Sequence, residues 1–267
     1  MIGRLIAFVK DWMLLLAMAA GAAVYLIYIN IPSLSGFGPA LYDAVTALQP
    51  VLLFILLFLA FCRISPKDMR PRKWQLWLLL FQAAVFFGLV SLDVFLRDGH
   101  WKVMLESAML MFICPTATAA AVVTGKLGGD MPGITTYMIL VNLVTAISVP
   151  LAVPLVHPAE GISFIVSFSM IMAKVFPLLI CPLLLAWVVR FTMPRLHRRI
   201  VCYENLPFYI WSFNLMLAII MTTRSIVHSD VPLPYQAGIA AVSLACCIVR
   251  FWLGRRIGMA YGASVTA

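Results

Sequence analysis

Charge is scarce in this sequence. Asp and Glu number 10 and Lys and Arg 19 in 267 residues, so charged side chains make up 11% of the chain. A soluble domain is about a quarter charged and about half apolar. Here 64% of residues are hydrophobic and the mean hydropathy is +1.04. A water-soluble globule of this length cannot hide that much apolar surface, because the buried share is limited by surface-to-volume scaling. Disorder is excluded as well, since disordered chains are poor in aliphatic and aromatic side chains. The composition requires an integral membrane protein whose main partner is the lipid bilayer.

Enzyme signatures are also missing. There is no His-Glu-x-x-His, no Gly-x-Ser-x-Gly, no phosphate loop and no aspartate-rich metal motif. The four histidines (His100, His157, His197, His228) fall in loops or at span ends, and no two share a helical face, so no enzyme is expected. Six cysteines (Cys62, Cys114, Cys181, Cys202, Cys246, Cys247) show no Cys-x-x-Cys or Cys/His metal spacing and read as small buried hydrophobes. The net charge of +9 raises nucleic-acid binding. The basic residues lie in short clusters between apolar runs, without a basic face carrying stacking aromatics, so no nucleic-acid partner is expected. The first apolar run, Trp12 to Ile29, is long enough to span and has no small-x-small cleavage site behind it.

A spanning helix takes roughly 20 mostly apolar residues. That ruler gives eight candidates, at approximately 12–30, 47–64, 74–96, 103–124, 133–155, 162–189, 206–223 and 236–254. The Gly- and Pro-containing stretch 31–46 is the longest outside the spans and reads as a re-entrant or interfacial segment on the outer side. Orientation follows the Lys and Arg bias between loops. With both termini on one side, fifteen basic residues fall there: Arg4, Lys10, Lys126 and clusters around Arg63–Lys73, Arg190–Arg199 and Arg250–Arg256. Three fall on the other side (Arg97, Lys102, Arg224), and Lys174 lies within a span. Both termini are therefore expected to be cytoplasmic, in a multi-pass protein of the cell (inner) membrane. No long linker divides the chain, so 1–267 is expected to be one transmembrane domain.

The informative segment is Ile113-Cys114-Pro115-Thr116-Ala117-Thr118-Ala119-Ala120-Ala121, inside the fourth span. Proline in a helix interior removes one backbone bond and clashes with the preceding turn. Flanking Thr residues can bond the freed groups or cap a new helix. Two structures fit: a kinked but continuous helix, or a span broken into two half-helices. In the broken form the second half presents unsatisfied amides with positive dipole character, suited to an anion. Broken helices at mid-membrane form the substrate sites of many secondary transporters. Candidate substrate-binding residues are Pro115, Thr116, Ala117 and Thr118, joined by the intramembrane polar residues Asn142, Lys174 and Asn214. Gln82 is a further polar group in the third span. Lys174 either pairs with Glu106, faces a wet cavity or snorkels. Asp130-Met131-Pro132 is a helix-start signal for the fifth span.

The order of these features resembles the bile acid:sodium symporter family and the related auxin efflux carriers. The segment Leu57-Phe58-Leu59-Ala60-Phe61-Cys62-Arg63-Ile64-Ser65-Pro66-Lys67-Asp68 is similar to the end of that family's second span and its Ser/Thr-Pro-x-Asp turn. Cys114-Pro115-Thr116-Ala117-Thr118-Ala119 resembles its Cys-Pro-Gly-Gly-Thr-Ala crossing motif. The Gly128-Gly129-Asp130 turn and a fifth span with Pro150 and Pro154 follow in register. The likeness covers roughly 45–256. It implies a panel and a core domain, a substrate site at crossed half-helices, and transport of a small organic anion. By position it carries Gln82 across as an ion-binding residue, and Thr118 of the crossing motif is the second ion-binding candidate.

Two departures shape the expectations. The family follows its Thr-Ala with Ser-Asn, both sodium ligands, where this chain has Ala120 and Ala121, which offer no side-chain oxygen. No cofactor is expected, and Na+, the one candidate coupling ion, is expected to be held weakly if at all. The family also has ten spans as two inverted five-span repeats. Here 1–155 corresponds to the first repeat of five spans and 162–256 to a partial second repeat of three. The expectation is an all-α polytopic protein with a broken fourth span and an incomplete second repeat. Its function is then transport, or else that of a truncated, non-transporting protein or subunit completed by a second copy or a partner chain.

Overall fold

The structure is a computed structural model that describes residues 12–31, 38–63, 71–96, 101–116, 120, 124, 128–158, 161–203, 205–229 and 231–261. Among them the regular elements are all helical: α1 (Met13–Asn30), α2 (Gly38–Cys62), α3 (Lys73–Leu96), α4 (Lys102–Ile113), α5 (Met131–Val156), α6 (Phe164–Thr192), α7 (Pro194–Cys202), α8 (Leu206–Val227) and α9 (Leu233–Ala260). Helices are what such a sequence must form in lipid, where every backbone N–H and C=O has to be satisfied within the segment. Seven of these helices, all but α4 and α7, are long and apolar enough to cross a membrane. Large apolar side chains stand outward along them, Phe251 at 80% and Ile165 at 72% exposure, which is an untenable surface in water. The chain is a multi-pass membrane protein.

Three boundaries differ from the sequence expectation. Residues 38–46, expected as part of a re-entrant or interfacial segment, are the first turns of α2. Pro39 stands at its second position, where a missing N–H costs nothing because the first amides of a helix have no internal partner. Arg195–Arg199, expected as loop, is part of α7. This helix is amphipathic: Ile200 and Val201 pack on the core, while Arg195, Arg198 and Arg199 are exposed. Finally, α9 continues to Ala260, so Arg250, assigned to a span end, lies well inside a 28-residue helix.

The helices form two groups. In one, α8 packs on α1 and α2, and α6 packs on α2; in the other, α4 and α5 pack on α3, and α9 runs along α4. The two groups meet where α5 lies against α6. That seam is a cluster of Leu57, Phe61, Met138, Ile139, Ala146, Leu179, Ile180 and Ala186. A second cluster, Phe86, Val90, Met109, Ile113, Ala152 and Val156, joins α3, α4 and α5.

Polar ties hold α5 at both ends. Asp130 caps its start, accepting from the Gly133 amide at 3.2 Å, as the Asp-Met-Pro signal predicts. Arg72 forms an ion pair with the same carboxylate, and Gln75, fully buried, donates to the Gly133 carbonyl at 2.9 Å. At the other end His157 Nε2 lies 3.4 Å from Glu106 of α4. The Arg63 guanidinium donates to the Tyr203 carbonyl and His197 meets the Cys62 carbonyl, which brings the ends of α2 and α7 together.

Candidate functional site

Helix α4 stops at Ile113 after 12 residues, about 18 Å at 1.5 Å per residue, roughly half a bilayer. Cys114 has φ −55° and ψ 123°, outside the helical region. Proline drives its preceding residue into that extended conformation. Cys114, Pro115 and Thr116 are non-helical, and Ala120 and Thr124 are helical again. Helical structure is thus interrupted at the proline. The ring of Phe112 lies 6.2 Å from that of Phe81, near the middle of α3, which sets the depth of the interruption within the bundle.

Three carbonyls around this helix end, those of Met111, Ile113 and Cys114, accept from side chains of two neighbouring helices. Pro115 has no N–H, so the carbonyl four residues earlier, that of Met111, loses its ordinary donor. Arg250 of α9 supplies it instead, with Nη1 2.6 Å from the Met111 oxygen. Both Nη1 and Nη2 lie 3.4 Å from the Cys114 oxygen. Thr145 of α5 donates its hydroxyl to the Ile113 carbonyl at 2.9 Å. Further along the same pair, Gly238 of α9 packs against the end of the Met104 side chain, so α9 and α4 run in the same direction.

The sequence candidates divide into those this arrangement gathers and those it does not. Pro115 and Thr116 are half-buried at the interruption itself. Gln82, next to Phe81 on α3, is 2% exposed, and neither its Oε1 nor its Nε2 has a hydrogen-bond partner among the described residues. Asn142, one turn before Thr145, is equally buried and donates to the Met138 carbonyl of its own helix at 2.9 Å. Ala117 and Thr118 lie outside the described residues. Lys174 stands exposed on α6, and the carboxylate considered as its partner, Glu106, faces His157 instead. Asn214 belongs to α8, which packs on α1 and α2 rather than on the helices around the interruption.

Sequence reasoning missed Arg250 and Thr145. The signal for Arg250 was present: a permanently charged residue within an apolar helix demands polar company at its own depth. Thr145 carried none, since its partner lies 32 residues away. Asp93, 3% exposed on α3 and with no hydrogen-bond partner for its Oδ1 among the described residues, is a further carboxyl group within an apolar helix.

Chemically, the centre offers a guanidinium that meets carbonyl oxygens, with no carboxylate ion-paired to it among the described residues. Guanidinium carries five donors in a planar fork, and these contacts use only its two terminal nitrogens. Gln82, the residue after Phe81, brings an amide whose two polar atoms have no hydrogen-bond partner among the described residues. The arrangement suits a ligand that is negatively charged and accepts hydrogen bonds. Neither a protein-family model nor a curated protein matches the chain.

Proposed function

We propose that this protein is a secondary transporter, similar to bile acid:sodium symporter proteins, that carries a small organic anion by alternating access. The observation that carries the proposal is the interruption of α4 at Pro115, halfway along the span, with the Arg250 guanidinium bonded to its open end. Backbone carbonyls solvate this cation, but no carboxylate among the described residues neutralises it, and an intramembrane charge of this kind has work to do. Attracting an anion is the work its surroundings fit.

The two helix groups support the same proposal. Alternating access requires one set of helices to move against another while the substrate site stays with one of them. The interruption, Gln82, Asn142, Thr145 and Arg250 all belong to the group α3, α4, α5 and α9, which corresponds to a core domain. The group α1, α2, α6 and α8 corresponds to the panel. The basic clusters around Arg63 and α7 then face the cytoplasm, as do both termini, in the cell (inner) membrane.

Uptake by the purified chain in proteoliposomes tests the proposal. A panel of radiolabelled carboxylates and sulfonates should include at least one that accumulates faster than in protein-free vesicles, competed by its unlabelled form. Folded protein that moves none of them under any imposed ion gradient or membrane potential would overturn it.

A further inference from the structure

The open end of a helix carries partial negative charge on its last carbonyls, and a cation placed there is favoured. In α4 the oxygen left without a backbone donor by Pro115 is that of Met111, and the Arg250 fork occupies it together with the Cys114 oxygen. These are two of the backbone oxygens at the interruption to which a free alkali-metal ion would turn. The neighbouring Ile113 oxygen is already engaged by Thr145. Arginine keeps its charge under all ordinary conditions. A second cation entering beside it would meet both occupied ligands and like charge in a low-dielectric interior.

We infer that Arg250 is a built-in cation for the interrupted fourth span, so that the helix end is closed by the protein itself and takes no alkali-metal ion. The assignment deepens the transporter proposal by fixing its coupling: the anion moves without a sodium partner. The guanidinium travels with the helix it serves, since α9 packs along α4. Its positive charge therefore belongs to the protein and is not carried across with the substrate. Movement of a monovalent anion is then electrogenic and responds to membrane potential rather than to a sodium gradient.

The test measures thermal unfolding of the purified full chain in sodium, potassium and choline chloride at equal ionic strength. The expected Tm of the unaltered protein is the same in all three, to within about 1 °C. Ligand binding to the folded state alone would raise it in the salt that binds. Arg250→Ala should lower Tm and make it sensitive to the cation, rising with sodium or with low concentrations of guanidinium. Arg250→Lys, which keeps the charge but not the fork, should lie between the two and guards against an Ala variant too unstable to measure. A sodium-dependent rise in the unaltered protein would overturn the inference. So would Ala and Lys variants that both melt like the parent. Flux in vesicles is read separately. Absent transport with the expected melting pattern removes the transporter proposal alone, whereas sodium-driven flux removes the built-in cation alone.

Discussion

Thr145, in the middle of α5, donates its hydroxyl to the carbonyl of Ile113, the last helical residue of α4. The bond crosses between two helices and serves one of the four carbonyls that every helix end leaves open. Thr145→Val keeps the shape and deletes the donor. Interhelical hydrogen bonds in membranes contribute roughly 0.6 to 2 kcal/mol, and loss of about 1 kcal/mol is expected here, read as a lower midpoint of thermal unfolding in detergent. Thr145→Ser should recover most of it. A valine variant as stable as the parent would mean that the bond carries no net energy.

Gln82 leads to the opposite sign. Both of its polar atoms are buried without partners among the described residues, and an unsatisfied buried polar group costs about 1–3 kcal/mol. Gln82→Leu should therefore raise stability while reducing anion uptake at least tenfold, because the same atoms are the unspent donors and acceptors at the site. A variant that is both less stable and fully active would show that the amide is structural.

Cys114 offers a native reporter at the interruption. Its side chain is exposed, beside Pro115 and Thr116. With the other five cysteines replaced, a water-soluble, membrane-impermeant thiol reagent should modify Cys114 if the interruption opens to an aqueous path, and excess transported anion should slow the reaction. Complete inertness in active protein would place the thiol in lipid.

The start of α5 can be dissected with two substitutions. Asp130→Asn keeps a capping oxygen for the Gly133 amide and removes the charge that pairs with Arg72. Asp130→Ala removes both. The Arg72 side chain is 52% exposed, so its ion pair is worth little, and the Asn variant should lose only a few tenths of a kcal/mol. The Ala variant should lose about 1 kcal/mol, the usual value of an N-cap. Equal losses in denaturation experiments would assign the stability to the charge rather than to the cap.

Sidedness is testable at α7. A cysteine introduced at Leu196, among Arg195, Arg198 and Arg199, should remain unlabelled by impermeant reagents in intact cells and react after permeabilisation. Labelling from outside would invert the orientation derived from the basic clusters.

Most of the bundle was legible in the sequence because hydropathy is a local property, and each span of about 20 residues announces itself without reference to the others. The cap at Asp130 and the interruption at Pro115 were legible for the same reason, since both are written in three or four adjacent residues. The start of α2 was misread because glycine and proline near residue 38 look the same at a helix start as in a loop. Arg250 was misread because the meaning of its charge depends on a carbonyl 139 residues away, which no local window contains. Lys174 misled in the converse way: an intramembrane lysine invites a buried partner, yet α6 turns it outward. The likeness to a transporter family named the interruption as the place to look but could not supply the cation that fills it.

The junction between the two helix groups has a mechanical consequence. On one side of the junction α5 is joined to α3 and α4 by the apolar cluster of Phe86, Val90, Met109, Ile113, Ala152 and Val156, by the Gln75–Gly133 hydrogen bond and by that from Thr145 to Ile113. Across the junction, Met138, Ile139 and Ala146 face Leu179, Ile180 and Ala186, side chains with no hydrogen-bond donor among them. Dispersion forces resist separation of such surfaces but have little directional preference. Among the described residues no hydrogen bond or ion pair joins these side chains across the junction, so displacing one helix group against the other there exchanges one set of apolar contacts for another.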